Sequence, residues 1–90
     1  MSKKQGNQME YTVMEDGKEV KYIFQHPGYL EATRIKDRSK NPAGIAFVEE
    51  TLFTEIMKHV IVSPRTSWAY WEEHEGYKEV MEEAQKFLMD

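Results

Sequence analysis

The chain of 90 residues contains no cysteine. This absence excludes disulfide bonds, a thiolate nucleophile and the cysteine-rich type of zinc site. No apolar run in the sequence approaches the roughly 18 residues that a membrane-spanning helix needs. What remains is 40% hydrophobic and 31% charged residues, a composition typical of a globular domain. A chain this short buries only about 60–65% of its unfolded surface, so we expect one small domain without the deep cleft of a large enzyme.

The first eight residues, Met1–Gln8, carry two lysines but no apolar stretch behind them. This pattern does not fit a secretory signal, and we predict a short disordered tail over residues 1–8. One α+β domain is predicted over residues 9–90. The lack of cysteine is compatible with a cytoplasmic protein.

The formal net charge of −4 is divided unevenly along the chain. Residues 1–40 contain eight Lys or Arg and six Asp or Glu, whereas residues 41–90 contain four and ten. The two parts therefore carry +2 and −6. A net acidic chain is a poor candidate for general nucleic-acid binding, because neutralising phosphates requires a basic face.

A β-hairpin is predicted over residues 9–25. Two segments rich in β-branched and aromatic residues flank Asp16-Gly17, a strong signal for a two-residue turn. Such a turn places all the large apolar side chains of one face together, which a one-residue slip would destroy. The predicted pairs are Glu15 with Lys18, Val13 with Val20, Tyr11 with Tyr22, and Met9 with Phe24.

Four helices are predicted after the hairpin, over about residues 28–39, 43–60, 67–75 and 77–89. In the first, Leu30, Ala32 and Ile35 are candidate inward positions. The second shows a helical stripe of Ile45, Val48, Leu52, Ile56 and Val60, widened by Phe53 and Met57. Residues 60–62 are β-branched and precede Ser63-Pro64, so an extended link is expected there. Thr66 or Ser67 is a candidate N-cap for the third helix. The predicted fold is an N-terminal β-hairpin packed on three to four α-helices.

The sequence has no recognisable catalytic or metal-binding motif. His26, His59 and His74 lie in different predicted elements, without a second ligand at metal-site spacing. Glu72-Glu73-His74-Glu75 resembles a catalytic cluster, but neighbouring residues on a helix point in different directions, which favours a solvated face. The glycines stand singly, and no nucleophile elbow is present. We therefore expect a non-enzymatic protein without catalytic residues, metal or other cofactor.

Three groups of residues are candidates for partner binding or self-association. The aromatic group is a candidate for an interface because Trp and Tyr are enriched at protein interfaces. A basic helix end and an acidic stretch carry opposite charges, and contact between them in neighbouring copies would build a ring or an open spiral. Two ordinary solubilising faces are the alternative interpretation. The groups are Trp68, Tyr70 and Trp71; Arg34, Lys36, Arg38 and Lys40; and Glu72, Glu73, Glu79, Glu82 and Glu83.

The order of these features resembles the short tail assembly chaperones of long-tailed phages and prophages of Gram-positive bacteria. The resemblance covers residues 11–88, and most of it lies in Val60–Pro64 and Gly76–Leu88. It implies a chaperone that coats the tape measure protein and helps to recruit tail tube subunits. It also implies a homo-oligomer in the host cytoplasm, absent from the mature virion. The family supplies no catalytic residues.

Two other functions remain open at this point. One is a small regulatory nucleic-acid-associated protein that uses the basic end of the first helix. The other is an enzyme subunit with the Glu72–Glu75 cluster in a shared site.

Overall fold

The computed structural model describes residues 6–89, and within this range three strands and four helices follow one another. The strands form one antiparallel sheet in the order β1-β2-β3. The helices cover one face of the sheet, and the other face is largely exposed. The elements are β1 (Gln8–Glu15), β2 (Lys18–Gln25), α1 (Tyr29–Ser39), α2 (Glu49–His59), β3 (Ile61–Ser63), α3 (Trp68–Glu73) and α4 (Tyr77–Met89).

The hairpin of β1 and β2 has the predicted register throughout. Asp16 and Gly17 form the turn with positive φ angles of 52° and 78°, as a tight hairpin of this kind requires. On the face toward the helices, Tyr22 and Phe24 are completely buried. The α+β fold with an N-terminal hairpin is therefore confirmed.

The N-terminal boundary lies earlier than predicted. β1 begins at Gln8, and the N–H of Gly6 donates to the carbonyl oxygen of His26 at 2.9 Å. The His26 N–H donates in turn to the carbonyl of Asn7 at 2.8 Å. Gln8 thus belongs to the sheet rather than to a disordered tail, and Gly6 and Asn7 are held beside it by backbone hydrogen bonds to His26. Residues 1–5 of the predicted tail lie outside the described residues.

The extended link after α2 is a third strand, which the sequence analysis does not predict. β3 pairs with β2 with a shift of register between Ile23 and Phe24. Ile61 is completely buried under the helices. β-Branched residues favour such a pleated, half-buried position, but the choice of β2 as partner depends on the tertiary fold.

The prediction that Leu30 of α1 faces inward is wrong. Ala32 and Ile35 are buried, whereas Leu30 is 64% exposed. Leu30 precedes Ile35 by five residues, which places it about 140° around the helix at 3.6 residues per turn. Ser39 is buried instead, and its hydroxyl donates to the carbonyl of Ile35 at 2.7 Å.

The predicted start of α2 at residue 43 is also wrong, because residues 41–48 form a loop. Gly44 has a φ of 73°, which is incompatible with a right-handed helix. A bridge between Lys40 and Phe47 closes the loop. Ile45 is therefore 83% exposed and Val48 41% exposed, although both fit the helical stripe.

The last two helices agree closely with the sequence. Ser67 caps α3, and its Oγ accepts a hydrogen bond from the N–H of Tyr70 at 3.1 Å. α3 ends at Glu73, two residues before the predicted end, and α4 has the predicted bounds. The core between helices and sheet includes Phe24, Ile35, Leu52, Ile56, Val60, Ile61, Val80, Met81 and Leu88.

Candidate protein-binding surface

Helix α2 has three sides with different surroundings. Its inner side, with Leu52 and Ile56, is buried in the core. A second side carries Glu55, which faces α1. The third side carries Glu50, Thr54 and Lys58, which follow one another at spacings of four residues and are exposed. A binding partner therefore has access to this third side.

A groove runs along that exposed side of α2. It consists of three adjoining depressions, each of about 400 Å³. Tyr77 lines the first and the second, and Trp68 lines the second and the third, so each depression shares an aromatic side chain with the next. We call this surface the outer groove. Its apolar lining comprises the partly exposed Phe47, Trp68 and Tyr77, with the edges of the buried Leu52, Phe53 and Met57 beneath them.

Aromatic side chains form the centre of the outer groove. The Trp68 and Tyr77 ring centroids lie 5.8 Å apart, and Tyr77 also meets Phe53 edge-on at 6.0 Å. Trp68 is 37% exposed, and its indole N–H donates to Thr54 Oγ1 at 3.0 Å. This hydrogen bond fixes the ring against α2, so a partner would meet a preformed aromatic surface.

Charges of opposite sign stand at the two ends of the outer groove. Near the N-terminus of α2, the lining includes Glu49, Glu50 and Glu82 as well as Lys78. Near the C-terminus of α2 it includes Lys58 and Arg65. The groove is therefore acidic at one end and basic at the other. Burial, followed by the charge of Glu49, raises the pKa of Tyr77.

Gly76 positions the wall of the outer groove that α4 provides. It has a φ of 93°, and an added Cβ would lie only 2.9 Å from Val13 Cγ1. Glycine therefore lets the chain turn tightly against β1 before α4 begins. The Glu15 carboxylate holds the same turn, since it accepts from the N–H of Glu75 at 3.1 Å.

The structure brings three of the four predicted basic residues, Arg34, Arg38 and Lys40, into ion pairs within the chain. Lys36 belongs to none of the ion pairs found among residues 6–89. Arg38 Nη2 donates to Glu55 Oε1 at 2.6 Å and to Glu31 Oε1 at 3.0 Å. The hydrogen bond from Arg38 lowers the pKa of Glu31, and its bonds to Glu55 and Glu31 raise the pKa of Arg38. Arg34 and Lys40 lie at longer range from Glu31 and Asp37, at 3.9 and 3.8 Å. These contacts reduce the positive charge that the helix offers to an external anion.

Of the three predicted interface aromatics, Trp71 lies in the core and the half-buried Tyr70 packs against it. Trp71 is buried and stacks on Tyr22 with centroids 5.6 Å apart. The hydroxyl groups of Tyr70 and Tyr22 are hydrogen-bonded at 2.7 Å. Burial and this hydrogen bond raise the pKa of Tyr22. Trp68 alone of the three lines the outer groove.

The predicted acidic residues have separate surroundings. Glu72 and Glu73 are exposed on α3. Glu79 accepts a hydrogen bond from the Tyr11 hydroxyl at 3.2 Å, and Glu83 lies 3.5 Å from Lys86 Nζ. Glu82 lines the outer groove. Glu72 and Glu73 on α3 thus stand apart from Glu79, Glu82 and Glu83, which share α4.

The histidines take part in local contacts. His26 is buried, and its Nδ1 accepts from the N–H of Gly28 at 3.0 Å. His59 lies 3.5 Å from Glu55, and His74 lies 3.0 Å from Glu15. Within residues 6–89, no three or more His, Asp or Glu side chains are grouped so that they could hold a metal ion. Across the same residues, no helix has the length and apolar character needed to cross a bilayer.

The sequence analysis did not identify Phe47, Phe53 and Tyr77 as the lining of a groove. Phe53 widens the predicted apolar stripe of the second helix, and Tyr77 is the first residue of the predicted last helix. Phe47 lies in the loop that was predicted as helix. Phe47 and Phe53 lie 30 and 24 positions before Tyr77 in the sequence. Only the fold brings the three residues to one groove.

Comparison with protein-family models, curated proteins and solved structures found no match to this chain.

Proposed function

We propose that this protein is a non-enzymatic tail assembly chaperone of a long-tailed phage or prophage. It binds the tape measure protein in the bacterial cytoplasm and helps to recruit tail tube subunits, and it acts as a homo-oligomer. The observation that supports this proposal best is the outer groove, since it fits an amphipathic helix. The sequence resemblance contributes the identity of the helical partner.

A helix suits the outer groove better than an extended segment does. The groove is lined by side chains, and an extended segment would leave its backbone groups without partners there. A helix satisfies its own backbone and can place apolar side chains at helical spacing into such a groove. Between Glu49 and Lys58, α2 is about 14 Å long at 1.5 Å per residue, which matches two to three turns of a partner helix.

The charges at the two ends of the groove favour one direction for the bound helix. Basic side chains of the partner would lie over Glu49 and Glu50, and acidic ones over Lys58 and Arg65. Helices favour acidic residues near the N-terminus and basic residues near the C-terminus. The bound helix therefore runs antiparallel to α2, an orientation that also opposes the two helix dipoles.

A co-purification experiment tests this function. The chain, carrying an affinity tag, is expressed with the tape measure protein of the same gene cluster, and the captured tape measure protein is quantified. We expect the wild type to keep the tape measure protein soluble and bound. Trp68→Ala should reduce capture about tenfold or more, because a central tryptophan often dominates an interface.

Tyr29→Ala is the matched control, because Tyr29 is 55% exposed on α1 and does not line the outer groove. It should change capture less than about twofold, as expected for an exposed residue outside the interface. If the wild type does not bind the tape measure protein, the proposed function is wrong. If Trp68→Ala binds as well as the wild type does, the outer groove is not the binding surface.

A further inference from the structure

Strand β1 forms an open edge of the sheet. Within residues 6–89 it pairs with β2 alone. The His26 N–H donates to the Asn7 carbonyl, and in an antiparallel pair the hydrogen-bonded positions alternate. Odd-numbered residues of β1 therefore direct their backbone groups toward β2. The even-numbered residues Gln8, Glu10, Thr12 and Met14 direct theirs toward the open edge.

The other edge of the sheet is much less suited to pairing. β3 has only three residues, its register with β2 is irregular, and Pro64 follows it. Short length, irregularity and proline are all features that prevent a further strand from adding to an edge. β1 has eight residues in unbroken register and contains neither proline nor lysine.

The side chains on and beside the edge strand β1 include several carboxylates. The strand itself carries Glu10 and Glu15 without a basic residue. Tyr11 donates to Glu79 of α4 at 3.2 Å. Burial raises the pKa of Tyr11, and the charges of Glu79, Glu83 and Glu82 raise it further. Glu79, Glu82 and Glu83 thus add negative charge near Tyr11, whereas the basic residues of the hairpin, Lys18 and Lys21, lie on β2 rather than on the edge strand.

This charge decides which kind of strand fits the edge. The β1 strand of a second copy would bring a second set of the same carboxylates close to the first, and like charges across strands are destabilising. A strand with lysine or arginine at alternate positions would instead face Glu10 with an opposite charge. We propose that the β1 edge binds an extended, basic peptide segment of a partner protein by adding it to the sheet as a fourth strand.

This inference does not depend on the outer groove, which lies beside α2 and binds a helix. The partner segment is held by backbone hydrogen bonds to Glu10, Thr12 and Met14 and selected by charge, as in other cases of strand addition. The same chain can in this way hold two different segments of its partners.

Amide hydrogen exchange with a defined probe tests the proposal. The probe is a short, capped peptide that alternates lysine with valine, added to the full chain and followed by NMR. When the peptide is bound, the amides of Glu10, Thr12 and Met14 should exchange at least about tenfold more slowly than in the free protein. The amides of Tyr11 and Val13, which face β2, should show little change.

Two control peptides and two variants make the result specific. A peptide with the same side chains but N-methylated backbone should not protect the edge amides, and a peptide with glutamate in place of lysine should not bind. Glu10→Lys should weaken binding by about fivefold, the size expected of a charged cross-strand pair. Glu19→Lys, the same charge change on β2 away from the edge, should alter binding less than about twofold.

Three results would overturn the proposal. Equal binding of the N-methylated peptide would show that charge alone attracts the probe. Bound peptide without protection of the even-numbered amides would place it elsewhere. Protection that appears on raising the protein concentration without peptide would show that a second copy occupies the edge.

Discussion

The inner and outer sides of α2 differ in what they contribute to the protein. On the inner side, Leu52 and Ile56 are almost completely removed from solvent. On the outer side, Glu50, Thr54 and Lys58 are exposed, and the Trp68 indole lies against Thr54, to which it donates a hydrogen bond. The inner side therefore supplies the free energy that holds the helix to the sheet, and this leaves the outer side free to bind a partner.

The same substitution on two isoleucines gives the largest expected difference. Ile56→Ala removes a completely buried side chain and should lower the free energy of unfolding by about 2–5 kcal/mol, from lost burial and the cavity left behind. Ile45 is 83% exposed in the loop before α2. Ile45→Ala should therefore change stability by less than about 0.5 kcal/mol. Urea denaturation of both variants measures the difference.

Similar losses for the two isoleucine variants would contradict the comparison. Such a result would mean that the segment before α2 packs as a continuation of the helix in solution. The periodicity of the sequence predicts that arrangement, and the structure replaces it with a loop.

Removing the N-cap of α3 tests what holds Trp68 in place against the outer side of α2. Ser67→Ala removes the acceptor for the N–H of Tyr70 and should cost about 1 kcal/mol of stability. Because α3 carries Trp68, the loss should also make the indole environment more mobile, which tryptophan fluorescence anisotropy can detect. Ser67→Asp retains a capping oxygen and should recover most of the loss. If the alanine and aspartate variants are equally destabilised, the cap is not the cause.

The hairpin shows what local sequence can specify. An Asp-Gly turn and a strict alternation of apolar residues leave only one register that buries Val13, Tyr22 and Phe24 together. The structure has that register in full. The information is local, since turn and strands lie within 18 residues.

The loop before α2 shows where the same reasoning fails. Ile45 and Val48 match the apolar stripe of α2, but periodicity gives no weight to the bridge between Lys40 and Phe47 that closes the loop. The glycine at position 44 was the local signal against a helix, because glycine readily adopts a positive φ, and Gly44 has one in the structure. Choosing between the two required knowledge of how α1 and α2 pack.

The outer groove could be predicted only in part. Trp68 was a candidate interface residue because tryptophan is enriched at interfaces, and it lines the groove. The neighbouring Trp71 was given the same role but is buried. Trp71 is buried against Tyr22, which lies 49 positions earlier in the sequence. The residues next to Trp71 do not indicate this long-range contact.

The side of α2 that faces α1 gives the smallest expected effect, and its sign depends on pH. Arg38 lowers the pKa of Glu31 below the ordinary value of 4.5, so the folded state favours the ionised carboxylate. The stabilisation is present above the ordinary pKa and is lost as the pH falls through the lowered one. Arg38→Gln should therefore lower the melting temperature at pH 7, by less than Ser67→Ala does. The difference from the wild type should shrink as the pH falls below about 4.

Lys36→Gln is the matched control, because Lys36 belongs to none of the ion pairs found among residues 6–89, and its effect should not follow this pH course. Thermal unfolding across this pH range decides the matter, since a difference that persists unchanged at pH 3 would assign the effect of Arg38 to packing of its side chain rather than to charge.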